Sequence, residues 1–169
     1  SEADDIETEE TVIFGDIKDL SSSVIGKCFK LYSLVSPSYS GIIKRTRDDF
    51  NLKISDYISS EGKFLILFEG RQLFSYCFYF ETSDLIQAEE FISKTDIALL
   101  KLLDRLHEIA NGRKLTVKIP SNFHKLPESS FPDSDNVTLS DQNVLGVTDL
   151  SEFIRLLDID KLITDDFLH

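Results

Sequence analysis

The chain has 169 residues, 41% of them apolar, and a formal charge of −12. That is enough for one domain with its own core, and too acidic overall for a general nucleic-acid binder. The charge is uneven: residues 1–10 carry a net −6, residues 11–125 a net +2, and residues 126–169 a net −8. No apolar run approaches the roughly 20 residues that a membrane-spanning helix requires.

The first ten residues, "SEADDIETEE", read as an acidic disordered tail. "TVIFGDI" (11–17) reads as a first strand, and Ser21–Ser23 as a loop. "KCFKLYSLV" (27–35) is aromatic and β-branched, which predicts a strand, and "SPSYSG" (36–41) has turn chemistry. Phe50, Leu52 and Ile54 alternate with Asn51, Lys53 and Ser55, the period of a half-buried strand.

"FLILF" (64–68) and "FSYCFYF" (74–80) flank "EGRQ" and read as the two arms of a hairpin turning at Gly70. In the second arm Phe74, Tyr76, Phe78 and Phe80 share one face; Ser75, Cys77 and Tyr79 share the other. Arms apolar on both faces belong in the middle of a covered sheet, so these aromatics read as core.

Residues 84–110 shift to helical spacing, with Leu85, Ala88, Ile92, Leu99, Leu103, Leu106 and Ala110 on one stripe. They read as one helix about 40 Å long at 1.5 Å per residue. The alternative is a break at "SKTD" (93–96), with Thr95 as a second N-cap. Asn111-Gly112 stops the helix, and "KLTVKI" (114–119) alternates as a strand. "PSNFHKLPESSFPDSDN" (120–136) is a proline-rich connector, followed by a short strand near 137–140 and an acidic amphipathic helix over 148–169.

The catalytic inventory is thin. The chain has no glycine-rich phosphate loop, no CxxC and no HExxH. His107, His124 and His169 are too scattered for a metal centre. In the pairs Asp48/Asp49 and Glu89/Glu90 adjacent side chains point apart, so both pairs read as solvated surface. Cys28 and Cys77 sit in apolar runs and read as buried, reduced thiols.

Lys44, Arg45 and Arg47, with Lys30, form the anion-binding candidate. A lysine on one strand followed by basic-x-basic on the next is similar to the spacing in pleckstrin-homology domains. That resemblance implies a grip on phosphoinositide phosphates. A strand after the long helix and the absence of Trp depart from it. A barrel that stacks single-stranded bases on Phe74, Tyr76 or Tyr79, with Lys44, Arg45, Arg47 and Lys53 on the phosphates, is the other anion reading. Val12, Ile13 and Phe14, beside a run of acids, resemble the SUMO-binding segments that add a strand to a partner's sheet.

The expected fold is α+β: a mostly antiparallel sheet of five to six strands packed on one long helix, with a C-terminal amphipathic helix. Its parts are a tail (1–10), an α+β domain (11–119), a connector (120–136) and an acidic C-terminal helical segment (137–169). The expected function is that of a non-enzymatic interaction or scaffold subunit of an intracellular complex, in nucleus or cytoplasm. It would use no cofactor and would contact another protein through Phe153, Ile154, Leu157 and Leu162.

Overall fold

A computed structural model describes residues 9–38 and 42–118, together with the backbone of residues 137–140 and 144–147. The strands are β1 (Glu10–Asp16), β2 (Lys63–Glu69), β3 (Gln72–Glu81), β4 (Leu85–Ser93), β5 (Lys114–Lys118), β6 (Val137–Ser140) and β7 (Val144–Val147). The helices are α1 (Ser22–Val35), α2 (Arg47–Ser59) and α3 (Asp96–Ala110). The strands form one sheet in the order β1-β2-β3-β4-β5-β7-β6. All neighbours are antiparallel except β4 and β5, which run parallel. The α+β class and the mostly antiparallel sheet stand. The expected single long helix does not: its segment is β4 followed by α3, and α1 and α2 add two further helices among the described residues. β7 pairs with β5, so the sheet of the body continues beyond the connector.

The β2–β3 hairpin forms as its pattern requires. Gly70 takes a φ of 58° at the turn, which a glycine adopts without strain. Leu65, Leu67, Cys77 and Tyr79 face α3, while Phe64, Ile66, Tyr76 and Phe78 face the layer that contains α1 and α2. The hairpin is therefore buried on both sides. This corrects the base-stacking barrel: the sheet is open rather than closed, and Tyr76 and Tyr79 are buried.

Two segments read as strands are helices. In α1 the buried residues are Cys28, Leu31, Tyr32 and Val35, a helical stripe, and the Ser21 side chain caps the start by accepting from the Val24 N–H at 3.2 Å. In α2 the buried set is Phe50, Ile54 and Tyr57, while Leu52 is 65% exposed, so the apparent alternation at 50, 52 and 54 has no structural counterpart. Thr46 and Asp49 cap this helix reciprocally: the Asp49 N–H donates to the Thr46 hydroxyl at 3.1 Å, and the Thr46 N–H donates to the Asp49 carboxylate at 3.2 Å. The chain leaves α2 at Gly62, where a Cβ would sit 2.9 Å from the Tyr57 carbonyl oxygen.

Residues 84–110 are a strand followed by a helix. Thr95 caps α3, accepting from the Ala98 N–H at 3.1 Å, so the break at 93–96 is real, but the segment before it is β4. α3 buries Leu99, Leu102, Leu103 and Leu106 on the sheet and stops at Asn111, whose φ is 47°. Cys28 and Cys77 are free and buried, as expected. Phe153, Ile154, Leu157, Leu162, the connector, His124 and His169 lie outside the described residues.

Candidate functional site

The site is built on β4. Phe78 pairs with Glu90 and Tyr79 pairs with Ala88, so Glu89 has no opposite residue on β3 and forms a β-bulge. A bulge shifts side-chain parity by one. Ile86 and Ala88 face α3; after the extra residue Phe91 faces α3, whereas Ile92 faces the α1–α2 layer. Glu90 shares that second face.

There it is 7% exposed and held by three donors. Arg45 Nη1 reaches Oε2 at 2.8 Å, the Tyr57 hydroxyl reaches Oε2 at 3.1 Å, and the Tyr76 hydroxyl reaches Oε1 at 2.7 Å. The guanidinium also stands 4.7 Å above the Tyr32 ring, and the Tyr32 hydroxyl donates to the Ile43 carbonyl. Burial, reinforced by the Glu90 charge, raises the pKa values of Tyr57 and Tyr76, so both stay protonated as donors. The carboxylate read as solvated surface is thus the centre of a buried polar cluster.

Glu89 points elsewhere. It accepts from Gln87 and from Lys118, the last residue of β5, with its side chain 19% exposed. The register of β4 with β5 runs from Leu85↔Lys114 to Ala88↔Val117 and stops. Beyond it β4 continues through Ser93 with no partner strand on that side among the described residues. The bulge, Glu89 and Lys118 therefore stand at the carboxyl end of the described parallel pair. In open sheets with parallel strands, crevices at strand carboxyl ends are where ligands bind.

The four residues of the anion-binding candidate do not form one cluster. Arg45 is committed to Glu90, and Arg47 lies 5.3 Å over the Phe29 ring. Lys44 is exposed on the segment leading into α2. Lys30 lines a separate cleft of about 390 Å³ with Lys27, Leu31, Leu73, Arg71 and Lys94. Val12, Ile13 and Phe14 lie within β1, paired in register with Leu67, Ile66 and Leu65 of β2. Among the described residues there is no group of His, Cys, Asp and Glu that could hold a metal, and no helix is long and apolar enough to cross a membrane.

No protein-family model matches the chain, and no curated protein sequence matches it. Solved structures do share its fold. The AHL synthase LasI superposes with a TM-score of 0.57 at 11% identity, covering 82% of this chain and 88% of its own. An acyl-CoA N-acyltransferase from Pseudomonas aeruginosa gives 0.54 at 12% identity, covering 82% and 97%. Escherichia coli ElaA gives 0.51 at 10% identity, again covering 82% and 97%. These likenesses overturn the non-enzymatic scaffold reading, and with it the lipid-headgroup and nucleic-acid-barrel alternatives: solved structures that share this fold include an acyltransferase and a synthase. At this identity they establish that the chain has an N-acyltransferase-type (GNAT-like) fold.

Proposed function

We propose that the chain is an acyltransferase that passes an acyl group from a thioester such as acyl-CoA to an amine. The observation that carries this reading is the end of the described β4–β5 pairing at Ala88, next to the Glu89 bulge, in a sheet whose fold is shared with an acyl-CoA N-acyltransferase. In the reaction a neutral amine attacks the thioester carbonyl, the C–S bond breaks, and the amine nitrogen loses a proton while the thiolate gains one. The group assigned to accept the amine proton is Glu89, the carboxylate at the carboxyl end of the parallel pair, with Lys118 holding it in place. Glu90 is a positioning residue: its three donors fix the strand immediately after the bulge. The β4–α3 turn, Ser93-Lys94-Thr95, contains no glycine, so donor phosphates would be met by side chains rather than by closely approached backbone. A thioester donor is in keeping with an activity inside the cell.

The test is thiol release from acetyl-CoA in the presence of a panel of amines, read colorimetrically. Amine-dependent release is expected. Glu89→Gln should reduce kcat by about 10²–10⁴-fold, the range for loss of a general base, with little change in the urea midpoint. A folded protein that releases no thiol from any thioester with any amine overturns the reading.

A further inference from the structure

The protein carries a net charge of −12, yet one cleft is lined by four cations: Lys27 and Lys30 on α1, Arg71 at the β2–β3 turn, and Lys94 just past β4. Six cations elsewhere pair with carboxylates, Arg45 with Glu90, Lys63 with Asp16 and Glu81, Lys101 with Glu10, Arg105 with Glu108, Arg113 with Glu81 and Lys118 with Glu89, while Arg47 and Lys53 lie over aromatic rings on separate stretches of surface. Among the described residues none of the four around the cleft has a carboxylate partner.

Two of the four are held in place by other means. The Lys27 ammonium donates to the Arg71 carbonyl at 3.2 Å and lies 5.5 Å over the Phe68 ring. The Lys94 ammonium lies 4.9 Å over the Phe74 ring. Lys27 and Lys30 are one turn apart on the same side of α1. Leu31 and Leu73, both buried, form the floor, and the volume of about 390 Å³ falls within the range of small-molecule sites. Like charges around one cavity repel, and a bound anion relieves that repulsion. The small volume favours a compact, multiply charged group over an extended acidic chain.

We propose that this cleft binds a diphosphate-type anion, with Lys27, Lys30, Arg71 and Lys94 as its ligands. The diphosphate has two sources: a free nucleotide, or the diphosphate of a coenzyme A thioester whose acyl end lies near Glu89. In the second case the assignment deepens the acyltransferase reading and rests on it.

The probe is inorganic pyrophosphate, titrated into the full chain by calorimetry at low ionic strength. Saturable binding is expected. It should weaken about tenfold or more in Lys30→Glu and again in Arg71→Glu, since each removes a charge-assisted contact. Lys30→Gln and Arg71→Gln give the same direction with less disturbance. Lys114→Glu, at the start of β5 and the opposite end of the sheet, changes net charge equally and should leave binding intact.

Repeating the titration with ADP and with coenzyme A separates the sources. Coenzyme A binding more tightly than ADP, with the same sensitivity to Lys30→Glu, identifies the thioester donor. ADP and pyrophosphate binding without coenzyme A identifies a separate nucleotide ligand. Either result upholds the anion site. No pyrophosphate binding, binding indifferent to Lys30→Glu and Arg71→Glu, or tighter binding of an acidic peptide overturns it. Pyrophosphate binding without thiol release would sink the acyltransferase reading and leave this site standing.

Discussion

Arg45→Met should destabilise the protein more than Glu90→Gln, although the two side chains form one ion pair. The asymmetry comes from where each group is left. Glu90 is 7% exposed and Arg45 is 23% exposed. Removing the guanidinium strands a carboxylate inside the α1–α2 layer with only the Tyr57 and Tyr76 hydroxyls as donors. Breaking a buried pair in this direction costs about 3 kcal/mol, the low end of the usual range because the site borders solvent. Methionine keeps most of the aliphatic packing over Tyr32, so the loss reports charge rather than volume. In Glu90→Gln the amide still meets the tyrosines, and Arg45 can turn to water; the cost is nearer the roughly 1 kcal/mol of one hydrogen bond. The double variant should cost less than the sum of the singles by about 1 kcal/mol or more. Urea unfolding followed by circular dichroism measures all three. With a slope of about 2 kcal/mol/M, Arg45→Met lowers the midpoint by roughly 1.5 M. If Glu90→Gln proves the more damaging single change, the carboxylate is not the dependent member of the pair and the reasoning fails.

Three further outcomes follow from particular contacts. Thr46→Ala removes the reciprocal cap of α2 and lowers the melting temperature at neutral pH. The Thr46 hydrogen bonds hold the Asp49 pKa below its ordinary value, so that contribution is present above the unfolded carboxylate pKa and is lost as pH falls through the folded one. The gap between wild type and variant, measured by thermal scans from pH 7 to pH 2, should therefore narrow on the acid side, and a gap that widens would contradict the cap. Gly62→Ala forces a methyl to 2.9 Å from the Tyr57 carbonyl oxygen and should cost about 1–3 kcal/mol in the same urea assay; an unchanged midpoint would mean the α2–β2 turn relaxes freely. Burial raises the pKa of both Cys28 and Cys77, so thiol labelling at pH 8 should be slow in the native protein and rapid in urea, and fast native labelling would refute the packing of α1 on the sheet.

The hairpin was legible because both of its faces and its turn residues agree with each other at short range. α1 and α2 were not, because short apolar windows fit either period. In "KCFKLYSLV" the aromatic content pointed to a strand, while the deciding spacing, Cys28, Leu31, Tyr32 and Val35, ran on a helical repeat. In α2 the three-residue alternation was a coincidence of Leu52, and the stronger signal was the Thr46–Asp49 cap followed by Tyr57 seven residues after Phe50. β4 was hidden for a different reason. Leu85, Ala88 and Ile92 fall at helical spacing although each lies in an extended segment, and the bulge, by breaking strand parity, removes the alternation that would have marked the strand. The same break concealed Glu90, whose burial depends on Arg45, Tyr57 and Tyr76, three residues brought to it only by tertiary contact.

β4 is where the sheet changes character, and that explains why the candidate features gather there. On one side it pairs antiparallel with β3; on the other it pairs parallel with β5 through the α3 crossover. Strand order then reverses, since β7 rather than β6 follows β5 in the sheet. In open sheets the carboxyl end of a parallel pair is where ligands bind, whereas consecutive antiparallel hairpins close their ends with tight turns. Glu89 stands at that end because of one extra residue, and the same residue turns Glu90 inward, so the anchor and the proposed proton acceptor have a common geometric origin. Lys94 continues directly from the strand into the basic cleft, which places the cleft's four cations at the same end of the sheet as Glu89. The acidic composition of the whole chain conceals this arrangement. An anion responds to the local field of a few cations in a confined cleft more than to a net charge spread over the surface.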